Sequence, residues 1–136
     1  MSFGKLAALY GACIVVFFAI DLVWLTTMNS RLYQPKLGSL LAEKPNLLAA
    51  VVFYALYVVG IVALAVVPGV TDGVVWGALW RGALFGLIAY ATYDLTNLAT
   101  VANWPLDLTL IDLVWGTSVT SVVAVAGYYV AGWLGI

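Results

Sequence analysis

The stretch from Tyr90 to Thr100, YATYDLTNLAT, gathers tyrosines, threonines, an aspartate and an asparagine at the end of an otherwise apolar segment. Tyr90, Asp94 and Asn97 follow the i, i+4, i+7 spacing that puts side chains on one face of a helix. An ionisable group inside a bilayer is costly, and such groups commonly mark functional sites. This stretch is therefore the first candidate for a site, on a segment that resembles a membrane-spanning helix.

The rest of the chain has the composition of an integral membrane protein. Of its 136 residues, 65% are apolar and 8% are charged, whereas a soluble domain carries about a quarter charged residues. Apolar runs of about 20 residues match the length of a membrane-spanning helix. We predict an all-α integral membrane four-helix bundle, one domain over residues 1–136, with spans at about 4–28, 46–67, 74–100 and 108–133.

The connections between these spans are also predicted. Residues 29–45 form the longest and most charged connection, an interfacial linker or a short surface helix. Pro68 and Gly69 are typical of a helix end and predict that the second span stops there. The longest loop and the stretch at 90–100 are then expected on the same side of the membrane.

Several classes of function lack the residues that they need. The net charge of −1 provides no basic surface for nucleic acid. The chain has no histidine, which argues against His-ligated haem, His-based zinc sites and His proton relays. A retinal Schiff base needs a mid-span lysine, and the lysines lie near the N-terminus or in the long loop. We predict no cofactor, and we interpret Cys13 as a small packing residue.

A five-residue string, IDLVW, occurs at residues 20–24 and again at residues 111–115. If the spans alternate in direction, the first and fourth are antiparallel, so the string is not a tandem duplication of helix pairs. We interpret it as convergence on one chemical need, an aspartate held one helical turn from an indole.

Counting residues along the spans places three aspartates at one depth. Asp21, Asp94 and Asp112 each lie a few residues from the long-loop end of a span, or roughly 8 to 10 Å inside the same membrane face. Tyr54 falls in the same layer. The predicted ligand-binding residues are Asp21, Asp94, Asp112, Asn97, Tyr54, Tyr57, Tyr90, Tyr93, Trp24 and Trp115.

This layer predicts a site for a proton or a cation. Carboxylates at close range repel one another, which favours keeping a proton or binding a positive charge. If a metal binds, Asp21, Asp94 and Asp112 are its predicted ligands. The alternative is structural, because Asp, Asn and Tyr inside a membrane also close hydrogen-bond networks that fix helix order.

Three functions remain open at this stage. The first is a small proton- or cation-coupled carrier or channel, analogous in architecture to small multidrug exporters and predicted to be a homo-oligomer. The second is a membrane enzyme acting on a lipid or isoprenoid, for which no catalytic residue can be assigned. The third is an accessory subunit, with Gly82, Gly86, Gly116 and Gly127 as packing surfaces for partners.

The whole chain resembles a family of small four-span bacterial membrane proteins of unknown function. The strings that carry the resemblance are DLVWL at 21–25, FYALYVVG at 53–60, YATYDLTN at 90–97, Trp104-Pro105 and DLVWG at 112–116. The resemblance implies a multi-pass protein of the bacterial inner membrane and transfers no activity. The distribution of Lys and Arg favours a cytoplasmic long loop, by a small margin.

Overall fold

Four long helical segments make up the protein, and the computed structural model describes residues 2–136. Their bounds are Phe3–Leu40 for α1, Leu47–Asp72 for α2, Val75–Thr100 for α3 and Leu106–Trp133 for α4. Helices α1, α2 and α4 are long and apolar enough to cross a membrane. Helix α3 has 26 residues, as many as α2, and is the least apolar of the four. The all-α membrane fold is confirmed.

Helix α1 continues well past its predicted end. Residues 29–45 were expected to be an interfacial linker or a short surface helix, but residues 29–40 instead extend α1. The extension consists of a π turn at Asn29–Tyr33, an α-helical turn at Gln34–Leu37 and a 3₁₀ turn at Gly38–Leu40. The charged residues Arg31 and Lys36, which suggested a loop, lie on the exposed side of this extension. Leu32 is buried on its other side. A π turn inserts extra backbone into a helix and is frequent at functional sites.

Helix α2 does not stop at Pro68 and Gly69 as predicted. It runs on to Asp72 and ends at Gly73, whose φ of 75° is the left-handed conformation common after helices. Proline removes one helical hydrogen bond and crowds the preceding turn, and here a wider π turn, Val62–Val66, comes just before it.

A Cβ on Gly69 would lie 2.6 Å from the backbone nitrogen of Ala78. Gly69 therefore serves the close approach of α2 to α3.

The glycines proposed as surfaces for partners are used inside the monomer. A Cβ on Gly82 would lie 2.8 Å from the Cβ of Ala124, and one on Gly86 would overlap the carbonyl oxygen of Gly116. A Cβ on Gly127 would lie 2.8 Å from the sulfur of Cys13. All four glycines are buried, so small residues here let the helices of one chain pack closely.

The apolar core fills the half of the bundle that contains the chain termini. Its largest side chains are Leu9 and Phe17 of α1 and Val58 and Ile61 of α2, all fully buried, and Cys13 packs among them. The three predicted site aspartates, Asp21, Asp94 and Asp112, lie in the other half of the bundle, where α1 connects to α2 and α3 connects to α4.

Candidate acidic and aromatic site

Two of the three aspartates face one cavity at the polar end of the bundle. Asp21 of α1 is 6% exposed and Asp112 of α4 is 7% exposed. The cavity has a volume of about 560 Å³. Its lining consists of Asp21, Trp24, Leu25, Tyr33, Phe53, Tyr54, Tyr57, Ala89, Tyr90, Tyr93, Asp112 and Trp115.

The two copies of the IDLVW string meet at this cavity through their indoles. Trp24 and Trp115 are stacked, with ring centroids 4.1 Å apart and an interplanar angle of 7°. The indole nitrogen of Trp115 donates to Oδ1 of Asp21 at 3.3 Å. Each string on its own offers an aspartate and an indole one turn apart, but the structure pairs the aspartate of one copy with the indole of the other.

The second cross-pairing passes through a tyrosine. The indole nitrogen of Trp24 donates to the hydroxyl of Tyr33 at 3.0 Å, and that hydroxyl donates to Oδ1 of Asp112 at 2.9 Å. The two strings thus form an approximately reciprocal arrangement about the indole stack. Such an arrangement suits two antiparallel helices.

Each of these aspartates also accepts a tyrosine hydroxyl. Tyr54 of α2 donates to Oδ2 of Asp21, as Tyr33 does to Asp112. Hydrogen bonds to a charged group contribute about 1.5 to 3 kcal/mol each. Both oxygens of Asp21 are therefore occupied by donors, whereas Asp112 accepts through one oxygen.

Tyr33 is a site residue that the sequence did not reveal. It follows Trp24 by nine positions, about two and a half turns of α-helix, which would place the two side chains on opposite faces. The π turn at Asn29–Tyr33 changes that angle and brings the Tyr33 hydroxyl to the Trp24 indole. A helical pattern with a constant period cannot predict this contact.

Further aromatic rings complete the cavity wall. Tyr57 stacks on Phe53 with centroids 5.3 Å apart and on Phe85 with centroids 5.0 Å apart. The hydroxyls of Tyr57 and Thr120 lie 2.8 Å apart and share a hydrogen bond. Tyr90 lies with its ring edge toward Tyr57. These contacts hold the wall rings in fixed orientations.

Asp94 lies outside the large cavity. It is fully buried, and neither of its carboxylate oxygens has a hydrogen-bond partner within residues 2–136. Together with Asp112 it lines a second cavity of about 220 Å³. The three aspartates therefore do not converge on one point, and Asp112 is the one that faces both cavities.

Two other predictions differ from the observed arrangement. Asn97 is half-buried and lines neither of the two cavities. Over the described part of the chain, no group of three or more Asp, Glu, His or Cys side chains is placed to hold a metal ion. Asp21, Asp94 and Asp112 thus do not form the three-carboxylate metal site that was considered from the sequence.

The Tyr33 hydroxyl connects Trp24 of one IDLVW string to Asp112 of the other by two hydrogen bonds, and removing it tests this bridge. We expect Tyr33→Phe to lower the free energy of unfolding by about 1 to 3 kcal/mol, because the buried oxygen of Asp112 loses its donor. Thermal unfolding of the purified protein in one detergent measures this. Tyr129→Phe is the matched control, since Tyr129 is 51% exposed on the far half of α4. Equal losses in both variants would contradict a structural role for the bridge.

Fold and site together define a small multi-pass membrane protein with an acidic and aromatic cavity. The chain belongs to the family described as "Predicted membrane protein (DUF2177)", which matches residues 6–129. No curated protein and no solved structure matches the chain. The resemblance seen in the sequence is thereby confirmed as a small membrane-protein family of unknown function.

Proposed function

We propose that this protein binds an amphipathic organic cation in the large cavity and carries it across the bacterial inner membrane in exchange for protons. The observation that supports this most directly is the lining of the cavity. The lining contains two aspartates and eight tyrosine, tryptophan and phenylalanine side chains. No lysine or arginine within residues 2–136 lines it. Such a cavity attracts positive charge and offers apolar contact at the same time.

The aromatic lining favours an organic cation over a hydrated inorganic ion. Aromatic faces attract cations, by about 2 kcal/mol or more per contact when water is excluded. A volume of about 560 Å³ lies within the range of about 300 to 1,000 Å³ that is typical of small-molecule sites. Asp21 and Asp112 supply the negative charge, and the ring faces enclose the apolar part of the ligand.

The helix arrangement supports entry of the ligand from the membrane. The backbones of α2 and α3 approach closely mainly along Val62–Asp72. Next along α2, Tyr57 still reaches Phe85 of α3, and toward Leu47 a gap opens between the two helices. Phe53 and Tyr93 line the cavity on the two sides of this gap and are 46% and 60% exposed. A ligand that partitions into lipid can reach the cavity between these two rings.

Transport requires the site to open to each membrane face in turn. A bundle of four helices has little structure with which to enclose such a path, so we place the function in a homo-oligomer. The end of the bundle with the connection between α1 and α2 is assigned to the cytoplasmic side, in line with the distribution of basic residues. Cross-linking in native membranes tests the assembly, and a labelled cysteine in that connection tests the orientation.

A lipid- or isoprenoid-modifying enzyme is the second candidate, and the same gap favours it. A polar lipid end reaching the level of Asp21 would enter between Phe53 and Tyr93. Mass spectrometry of lipids that co-purify with the protein separates the candidates: a lipid retained through extensive washing and altered on incubation would favour the enzyme.

Binding of tetraphenylphosphonium, an apolar organic cation, tests the proposal. We expect saturable binding to the wild-type protein in nanodiscs and an affinity at least about tenfold lower in Asp21→Asn, because a facing negative charge is lost at a cost of about 1.4 kcal/mol or more. The amide oxygen of asparagine can accept from Trp115 while its amide nitrogen donates to the Tyr54 hydroxyl, so both contacts can be kept and the variant is expected to fold. Isothermal titration calorimetry measures the affinities.

Glu43→Gln is the control for that experiment. It removes one carboxylate from the exposed connection between α1 and α2, outside the cavity, and should leave tetraphenylphosphonium binding unchanged. Binding that is equally strong in wild-type protein and in Asp21→Asn would overturn the proposed site.

A further inference from the structure

We propose that Asp94 and Asp112 together hold one exchangeable proton in the small cavity, and that release of this proton is coupled to ligand binding in the large cavity. The first part stands on the surroundings of Asp94 alone. The second part rests on the proposed function.

The surroundings of Asp94 require an explanation. Its side chain is fully buried, and both carboxylate oxygens lack a hydrogen-bond partner in the described part of the chain. A buried carboxylate with neither a donor nor a counter-charge is strongly disfavoured, whereas the neutral acid is much less so. The environment of Asp94 therefore selects its protonated form.

Asp112 is the group that can share this proton. It lines the same cavity of about 220 Å³, and its Oδ1 accepts from Tyr33, which leaves Oδ2 as an acceptor. Two carboxyl groups in one confined space do not both ionise readily, so one proton serves the pair. The proton then belongs to the pair rather than to either residue.

The other side chains around the small cavity do not compensate the negative charge of Asp94 and Asp112. From α1 the polar side chains that line it are Asn29 and Tyr33, and from α3 the polar neighbour is Tyr93. Lys36 is engaged with Asp107 in an ion pair whose side chains are both exposed. No lysine or arginine lines the small cavity within residues 2–136.

The position of Asp112 between the cavities provides the coupling. It lines both of them, so a cation in the large cavity interacts more favourably with the deprotonated pair than with the protonated one. Coupling of this kind is reciprocal: the ligand expels the proton, and the proton weakens binding of the ligand.

Asn29, Leu37 and Leu41 form the outer wall of the small cavity, at the end of the bundle nearest the α1–α2 connection. The proton can thus reach that membrane face without crossing the ligand cavity.

Infrared difference spectroscopy of ligand-free protein in nanodiscs tests the proton site. We expect a carbonyl band of a protonated carboxylic acid in the wild-type protein, shifted in heavy water and reduced in Asp94→Asn. Asp107→Asn is the control, because Asp107 is exposed, and it should leave the band unchanged. A wild-type spectrum with no such band across the accessible pH range would overturn the site without reference to any variant.

Proton release on ligand binding tests the coupling. A pH indicator in weakly buffered solution should report about one proton released per tetraphenylphosphonium bound by the wild-type protein and about none per ligand bound by Asp94→Asn. Wild-type binding without proton release would overturn the coupling. Failure of the wild-type protein to bind tetraphenylphosphonium, with the infrared band intact, would overturn the proposed function and leave the proton site supported.

Discussion

Replacing Gly86 with alanine is expected to destabilise the bundle by about 3 kcal/mol, or to prevent its folding. The added Cβ would overlap the carbonyl oxygen of Gly116 and lie 2.7 Å from the hydroxyl of Thr120. Because a carbonyl oxygen of a facing helix cannot rotate away, α3 and α4 must separate. That separation also disturbs the hydrogen bond between Tyr57 and Thr120 that fixes one wall of the large cavity.

Thermal unfolding in detergent, followed by tryptophan fluorescence, measures this loss, and Gly11→Ala is the matched control. Gly11 lies inside α1, more than two turns from its first residue, and a Cβ there would meet nothing within 4 Å. Alanine favours a helix over glycine by about 1 kcal/mol, so the control should be neutral or stabilising. Similar losses in both variants would show that backbone conformation, rather than the close approach of α3 to α4, makes glycine necessary.

The sequence predicted the depth of the polar side chains in the membrane much better than the direction in which each of them points from its helix axis. The helical rise is constant, so counting from the span ends correctly put Asp21, Asp112 and Tyr54 near one another. The direction in which a side chain points from its helix could not be obtained by counting residues. In a membrane both the lipid-facing side and the packed side of a helix are apolar, so hydropathy does not distinguish them.

Asp94 illustrates the consequence. It lies one turn from Tyr90 on α3, and the spacing predicted that the two share a face. Tyr90 lines the large cavity and Asp94 the small one. The residues that line both cavities come from α1, α3 and α4, and the sequence does not predict how these helices come together. All the other predicted ligand-binding residues except Asn97 line the large cavity, and their role in binding remains a prediction.

The extension of α1 was missed for a different reason. Charged residues between two apolar spans usually indicate a loop, but Arg31 and Lys36 occupy the outer side of a helix whose inner side packs Leu32 and Tyr33. The π turn that aligns this inner side has no recognisable signature in the sequence. The contact between the two IDLVW strings was hidden as well, since it depends on how two antiparallel helices cross.

Replacing Asp112 with asparagine is expected to have the largest effect on ligand binding. We predict that tetraphenylphosphonium affinity falls by about 100-fold, more than in Asp21→Asn. A unit charge about 6 Å away, at an effective dielectric constant of about 20, contributes close to 3 kcal/mol. Both oxygens of Asp21 already accept hydrogen bonds, from Tyr54 and Trp115, so its charge is partly neutralised. Asp112 accepts from Tyr33 through one oxygen only, which leaves more of its charge available to a ligand.

The same substitution should also lower the number of protons released per ligand, because Asp112 belongs to both cavities. Calorimetry in two buffers of different ionisation enthalpy yields affinity and proton release from one set of titrations. Asp107→Asn is the matched control: it removes an aspartate from the same helix, but one that is exposed and paired with Lys36, and surface ion pairs contribute little. If Asp107→Asn weakened binding as much as Asp112→Asn did, the loss would reflect the overall charge of this membrane face. The position of Asp112 between the two cavities would then not account for the loss of affinity.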